Sequence, residues 1–225
     1  AVMEKVSGKD LNEFKGVWLE GKDFPKEIAK DFLIKKSSSV RMFYVWKHDR
    51  EKTFTSKETL EDSELSIELK LELLKLKNDF IGMQLWPIIV NDDIKIRQFA
   101  AKKMDIIPEE LREFAEPLLL DDSYITNELM LYNLWTSFDY DRSVFLDKTK
   151  DIIGLPNKNV RLLWLTLALI TKKYNSELST AYYEELVEYT SSIYNPEVRQ
   201  TAFQYLFEIK ALNDEAYANL IKATN

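Results

Sequence analysis

Four arginines recur in one setting and are the first residues to weigh for chemistry. Each stands directly after a β-branched residue and four places after a small polar one: Ser37-x-x-Val40-Arg41, Asp93-x-x-Ile96-Arg97, Asn157-x-x-Val160-Arg161 and Asn195-x-x-Val198-Arg199. A guanidinium offers a rigid fork of donors that matches a carboxylate or phosphate. A row of such forks therefore has two readings. In one, Arg97, Arg161 and Arg199 face a substrate and hold the anionic groups of a peptide. In the other, each arginine grips a nearby Asp or Glu and ties one helix to the next, and the sequence favours this structural use.

Other reactive groups are sparse. The chain has a single histidine, His48, at the head of a polar stretch running to Glu64, and no cysteine. One imidazole with no partner does not complete a metal site or a proton relay. There is no Gly-x-Ser-x-Gly elbow, phosphate loop or Cys-His pair. The acidic pairs Asp92-Asp93, Glu109-Glu110 and Asp121-Asp122 precede helical patterns, where carboxylates serve the positive end of a helix dipole. No catalytic, cofactor-binding or metal-binding residue is assigned in this chain.

The elements that must position the arginines are helical. Of 225 residues 45% are apolar, whereas only five are Gly and six Pro, and no Asn-Gly or Asp-Gly hairpin signal occurs. Asn157 to Thr171 is apolar on nearly every side and is expected to be the central inner helix, capped by Asn157. Apolar spacing predicts further helices at Lys26 to Lys36, Val40 to Lys47, Ile94 to Met104, Ile125 to Phe138 and Val198 to Lys210. Pro108 is expected in the first turn of another. Residues 65–77 alternate like a strand, but their Leu, Glu and Lys favour helix. The polar stretch 48–64 reads as a long surface loop. The aromatic series Tyr182, Tyr183, Tyr189, Tyr194, Phe203, Tyr205 and Phe207 reads as core.

Two weaker openings, Glu64-x-x-Ile67-Glu68 and Asp122-x-x-Ile125-Thr126, bring the recurring phrase to six, at intervals of roughly 27 to 38 residues. Each interval holds two helices and two turns. The fold class expected is all-α, an α-solenoid of irregular HEAT-like repeats in which stacked helix pairs share one core. With a formal charge of -7 and a pI near 5.0, nucleic acid is not expected as a partner. No signal-peptide pattern or membrane-spanning stretch is present.

One segment carries a family resemblance. Val6, Ser7, Gly8, Asp10, Leu11, Phe14, Trp18 and Leu19 follow one another as in the end of the catalytic domain of zinc aminopeptidases of the aminopeptidase N family. The remainder, above all NVRLLWLTLAL and NPEVRQTAFQYL, resembles that family's C-terminal helical domain. The resemblance implies a tail at 1–23 and a HEAT-like domain over 24–225, with a weaker internal boundary within 48–64. It implies a non-catalytic domain that encloses the active-site cleft and limits peptide access, with zinc held in a separate catalytic domain. The family's His-Glu-x-x-His and Gly-Ala-Met-Glu-Asn motifs are absent here. No β-sandwich precedes the helices, which departs from the commonest layout. The implied partners are that catalytic domain and peptide substrates, and self-association of the chain on its own is a further expectation. The alternative is a free-standing HEAT-like scaffold that binds a protein on its concave face.

Overall fold

A computed structural model describes residues 2–48, 56–76 and 85–224, and among these every regular element is helical, with no strand. The fold class is all-α. No helix among the described residues is long and apolar enough to cross a membrane. The chain divides into two compact units, Ala1–Asn78 and Asp79–Asn225.

The first unit opens with α1 (Val2–Ser7), ended by Gly8 at φ +65°, and α2 (Asn12–Phe14), which runs into a π turn over Lys15–Leu19. Then come α3 (Lys26–Lys36), α4 (Ser38–His48), α5 (Ser56–Glu61) and α6 (Ile67–Leu76). Helix α4 packs against both α3 and α6, and α6 also packs on α5. The expected cap at Ser37 forms, its Oγ accepting from the Val40 amide at 3.3 Å. At the next opening the cap is Ser66, which accepts from Leu69, in place of Glu64. A hydroxyl adjacent to the first turn reaches the free amides more directly than a longer carboxylate.

Two expectations for this unit are corrected. The stretch 48–64 is not one long loop, because residues 56–61 form α5 with Thr59 and Leu60 buried, while 49–55 lie outside the described residues. His48 is not a loop residue either. It closes α4 and stacks on Tyr44 at 6.0 Å, one turn back on the same helix face. Residues 67–76 are helical as their composition predicts, with Lys77 outside the described residues. The strand-like alternation buries one lysine. Lys70 is 8% exposed, and its Nζ donates to the Leu60 carbonyl at 2.5 Å near the end of α5, a favourable place for a cation.

The second unit contains α7 (Trp86–Ile89), α8 (Ile94–Lys103), a 3₁₀ turn at Glu109–Leu111 leading into α9 (Arg112–Ala115), and a second such turn at Glu116–Leu120. It continues with α10 (Tyr124–Ser137), α11 (Arg142–Thr149), α12 (Asn159–Ile170), α13 (Ser179–Glu188), α14 (Pro196–Glu208) and α15 (Asp214–Thr224). Helices α8, α10, α12 and α14 each touch the next in that series. Helix α11 packs between α10 and α12, and α13 between α12 and α14. Helix α12 buries eight consecutive positions but for one: Val160 and then Leu162 through Ala168. Helix α10 shares the centre, with Met130, Leu131 and Leu134 fully covered. Its buried amides close neighbouring turns: Asn127 Nδ2 donates to the Leu119 and Asp121 carbonyls at 2.9 and 3.0 Å, and Asn133 Nδ2 to that of Met104.

The helix openings in this unit vary. Asp93 and Asn195 cap as expected, accepting from Lys95 and Val198. Ser123 replaces Asp122, accepting from Thr126. Asn157 is not a cap: Lys158, at φ 54°, precedes α12 with no side-chain cap, and the Arg161 amide donates to the Ile153 carbonyl at 3.1 Å. Gly154 makes this return possible. Its φ is +78°, and a Cβ there would meet Asn159 Oδ1 at 2.5 Å and the Val160 amide nitrogen at 2.8 Å. Pro108 sits before the Glu109–Leu111 turn in extended conformation, outside the first turn. Of the aromatic series, Tyr189 is buried and most others are half-buried, but Phe207 is 71% exposed.

Candidate functional site

The three arginines singled out by spacing stand in the first turns of α8, α12 and α14, and each is held by a different neighbour. Arg97 donates from Nε and Nη2 to the two Asp121 oxygens at 2.5 and 3.3 Å, and from Nη1 to the Asp92 carbonyl at 2.5 Å. The Asp121 side chain is only 3% exposed and also accepts from the Ser123 amide, so this fork fastens α8 to the start of α10. The hydrogen bond to Asp121 raises the arginine's pKa.

Arg161 makes the corresponding joint between α12 and α13. Its Nε and Nη2 donate to Glu185 at 2.8 and 2.5 Å, Nη1 donates to the Lys150 carbonyl, and the guanidinium lies 4.7 Å from the Trp164 ring. Burial opposes the charge on Arg161, but the bonds to Glu185 outweigh it and its pKa rises. Burial likewise works to raise the Glu185 pKa, and the hydrogen bonds from Arg161 and Tyr189 bring it below the ordinary glutamate value.

Among the described residues Arg199 is tied by carbonyls alone, Thr190 at 3.2 Å and Asn219 at 3.4 Å, while Asn219 Nδ2 donates to Thr190 Oγ1. It thereby links α14 to the end of α13 and to α15. Arg41, in the first unit, donates to the Ile34 carbonyl at the end of α3. The recurring arginine thus occupies the same structural place each time, with partners that change from carboxylate to carbonyl.

A second polar constellation was not foreseen from the sequence. An open groove of about 590 Å³ is lined by Glu109, Arg112, Glu113, Glu116, Pro117, Leu120 and Lys148. Arg112 donates to Glu116 at 2.7 Å and to Asp141 at 2.7 Å, and it lies against the Phe138 and Phe145 rings. Lys148 donates to the other Glu116 oxygen at 2.7 Å. Burial acts to raise the Glu116 pKa, but its two cationic partners overcome this and lower it. The four-residue spacing of Arg112 and Glu116 was a legible signal. Asp141 and Lys148 join only through the fold.

The chemistry open to these groups is limited. Glu116, ionised and shared by two cations, is a poor proton acceptor. The phenols of Tyr174, Tyr189 and Tyr205 are all pushed upward, chiefly by burial, so they remain neutral donors. Tyr174 donates to Asp147 at 2.8 Å. Among the described residues no three His, Cys, Asp or Glu side chains converge as a metal would require. Comparison with models of protein families, with curated proteins and with solved structures finds no match to this chain.

Proposed function

We propose that this chain is the non-catalytic C-terminal helical region of a zinc aminopeptidase of the aminopeptidase N family, and that its second unit is a short HEAT-like solenoid enclosing a peptide-access cleft in the longer enzyme. The solenoid reading is supported by the series α8, α10, α12, α14, in which each helix packs on the next while α11 and α13 fill the intervals. Arginine ties at the helix openings fit the same design. Arg97, Arg161 and Arg199 then act on peptide only through the helices they align.

The observation that carries the assignment to the family lies in the segment resembling the catalytic-domain end. Within 2–19 no residue is buried, and Val2, Met3, Val6 and Leu19 are largely uncovered. An apolar segment without cover is what a terminal piece of another domain presents when considered apart from it. Zinc belongs, on this reading, to that other domain. The test is metal analysis of the purified chain together with an amidase assay on aminoacyl chromogenic substrates. The expected result is no stoichiometric zinc and no turnover. One tightly bound zinc per chain with chelator-sensitive release would overturn the reading.

A further inference from the structure

We infer that the faces of Tyr189 and Tyr194 form a binding site for a methylated ammonium group, a site that the chain's own Lys158 occupies. The two rings meet at 67° with their centroids 4.9 Å apart. The Lys158 Nζ lies over both of them, 5.4 Å from the Tyr189 centroid and 5.9 Å from that of Tyr194. At this range a cation is drawn to the negative face of each ring. The walls are fixed from behind. Tyr189 is only 7% exposed and its hydroxyl donates to Glu185 at 3.0 Å, while that of Tyr194 donates to Glu188 at 2.9 Å. Asn195 Nδ2 donates to Asn157 Oδ1 at 3.4 Å, which joins the turn before α14 to the turn before α12.

Lys158 is a poorly matched occupant, and its mismatch identifies the better one. Its backbone stands at φ 54°, a left-handed conformation that is unfavourable for a residue with a side chain. Among the described residues no carboxylate or carbonyl accepts from its ammonium, so its N–H donors are left to water beside two ring faces. A trimethylammonium group carries the same charge with no N–H to satisfy, and its methyl groups set apolar surface against the rings. The surrounding charge also suits a cation. Arg161 offsets Glu185, whereas Glu188 accepts only from the Tyr194 hydroxyl and pairs with no cation among the described residues. Lys158 reaches the rings on a flexible, half-buried side chain, so its withdrawal uncovers them without moving a helix. The inference does not depend on the function proposed above, because it rests on the turns before α12 and α14 alone.

Titration of the whole chain with choline chloride at constant ionic strength, followed by proton NMR, tests this. Saturable binding is expected, with magnetisation passing from the choline methyl groups to the Tyr194 ring protons. Lys158→Ala should tighten binding about fivefold, because it removes the internal competitor. Tyr194→Leu should weaken it about tenfold while the circular dichroism spectrum is unchanged. The neutral isostere in which carbon replaces the choline nitrogen should bind about tenfold more weakly than choline, a difference that apolar contact alone does not produce. A trimethyl-lysine peptide and phosphatidylcholine vesicles, tested on the same variants, distinguish a protein-borne group and a lipid headgroup from a free small molecule. Absence of saturable binding to Lys158→Ala, equal affinity for the isostere, or binding indifferent to a folded Tyr194→Leu overturns the proposal. If Tyr194→Leu does not fold, the magnetisation transfer and the isostere comparison decide it.

Discussion

Helices α3 and α12 are nearly equal in length and both are rich in large apolar side chains, yet α12 buries eight residues and α3 none. The difference lies in what surrounds them. Helix α12 has neighbours on α10, α11, α13 and α14, so almost every direction is occupied and Leu162 through Ala168 can all be covered. Among the described residues the one helix that packs extensively on α3 is α4, and much of its apolar surface is left uncovered. Apolar content alone therefore does not decide burial; the number of packed neighbours does. One side of α3 stays uncovered, whereas α12 is covered along nearly its whole length.

The sharpest way to break this contrast is to truncate a large side chain in each helix and measure urea unfolding. Trp164 is 2% exposed and its Nε1 donates to the Leu146 carbonyl at 2.8 Å. Trp164→Ala should cost about 3–5 kcal/mol, whereas Phe32→Ala should stay within about 0.5 kcal/mol. Equal losses would mean that the α3 face is covered.

A smaller effect separates the arginines by partner. Arg97→Ala leaves the nearly inaccessible Asp121 carboxylate without its fork and should cost about 2–3 kcal/mol. Arg199→Ala, which frees only carbonyls, should cost about 1 kcal/mol. If Arg199→Ala proved the more damaging, the joint between α14 and α15 would matter more than its bonds indicate. Gly154→Ala comes next: a methyl group at φ +78° would press on Asn159 and Val160 and should lower stability by about 1–2 kcal/mol, read as an earlier urea midpoint.

The smallest expected effect is pH dependence. Glu116 and Glu185 both have native pKa values lowered by cationic partners. Their contribution is complete above the unfolded glutamate value of about 4.3 and is lost as pH falls through the native values. Glu185→Gln should flatten the acid limb of the stability profile by about 1 kcal/mol or less, because the pair is partly solvated. A steeper limb in the variant would contradict the assignment.

Much of the second unit was legible in the sequence because its signals are local. The apolar run of α12, the Asp93 and Asn195 caps and the arginine openings each follow from residues within one or two turns. What escaped depends on distance in the chain. Asn157 looked like a cap until the loop through Gly154 brought the Ile153 carbonyl to the Arg161 amide. Glu116 gains its second cation, Lys148 of α11, only through the fold. In the first unit, α5 hid inside a polar stretch because, among its described side chains, Thr59 and Leu60 alone are buried.

The central claim is that these helices belong to a larger zinc aminopeptidase, and the coding sequence upstream of Ala1 tests it most directly. The account predicts an open reading frame that continues upstream and encodes a His-Glu-x-x-His motif followed by a later glutamate, the ligand set of a catalytic zinc. A frame that encodes no such motif upstream would contradict it and leave a free-standing helical scaffold.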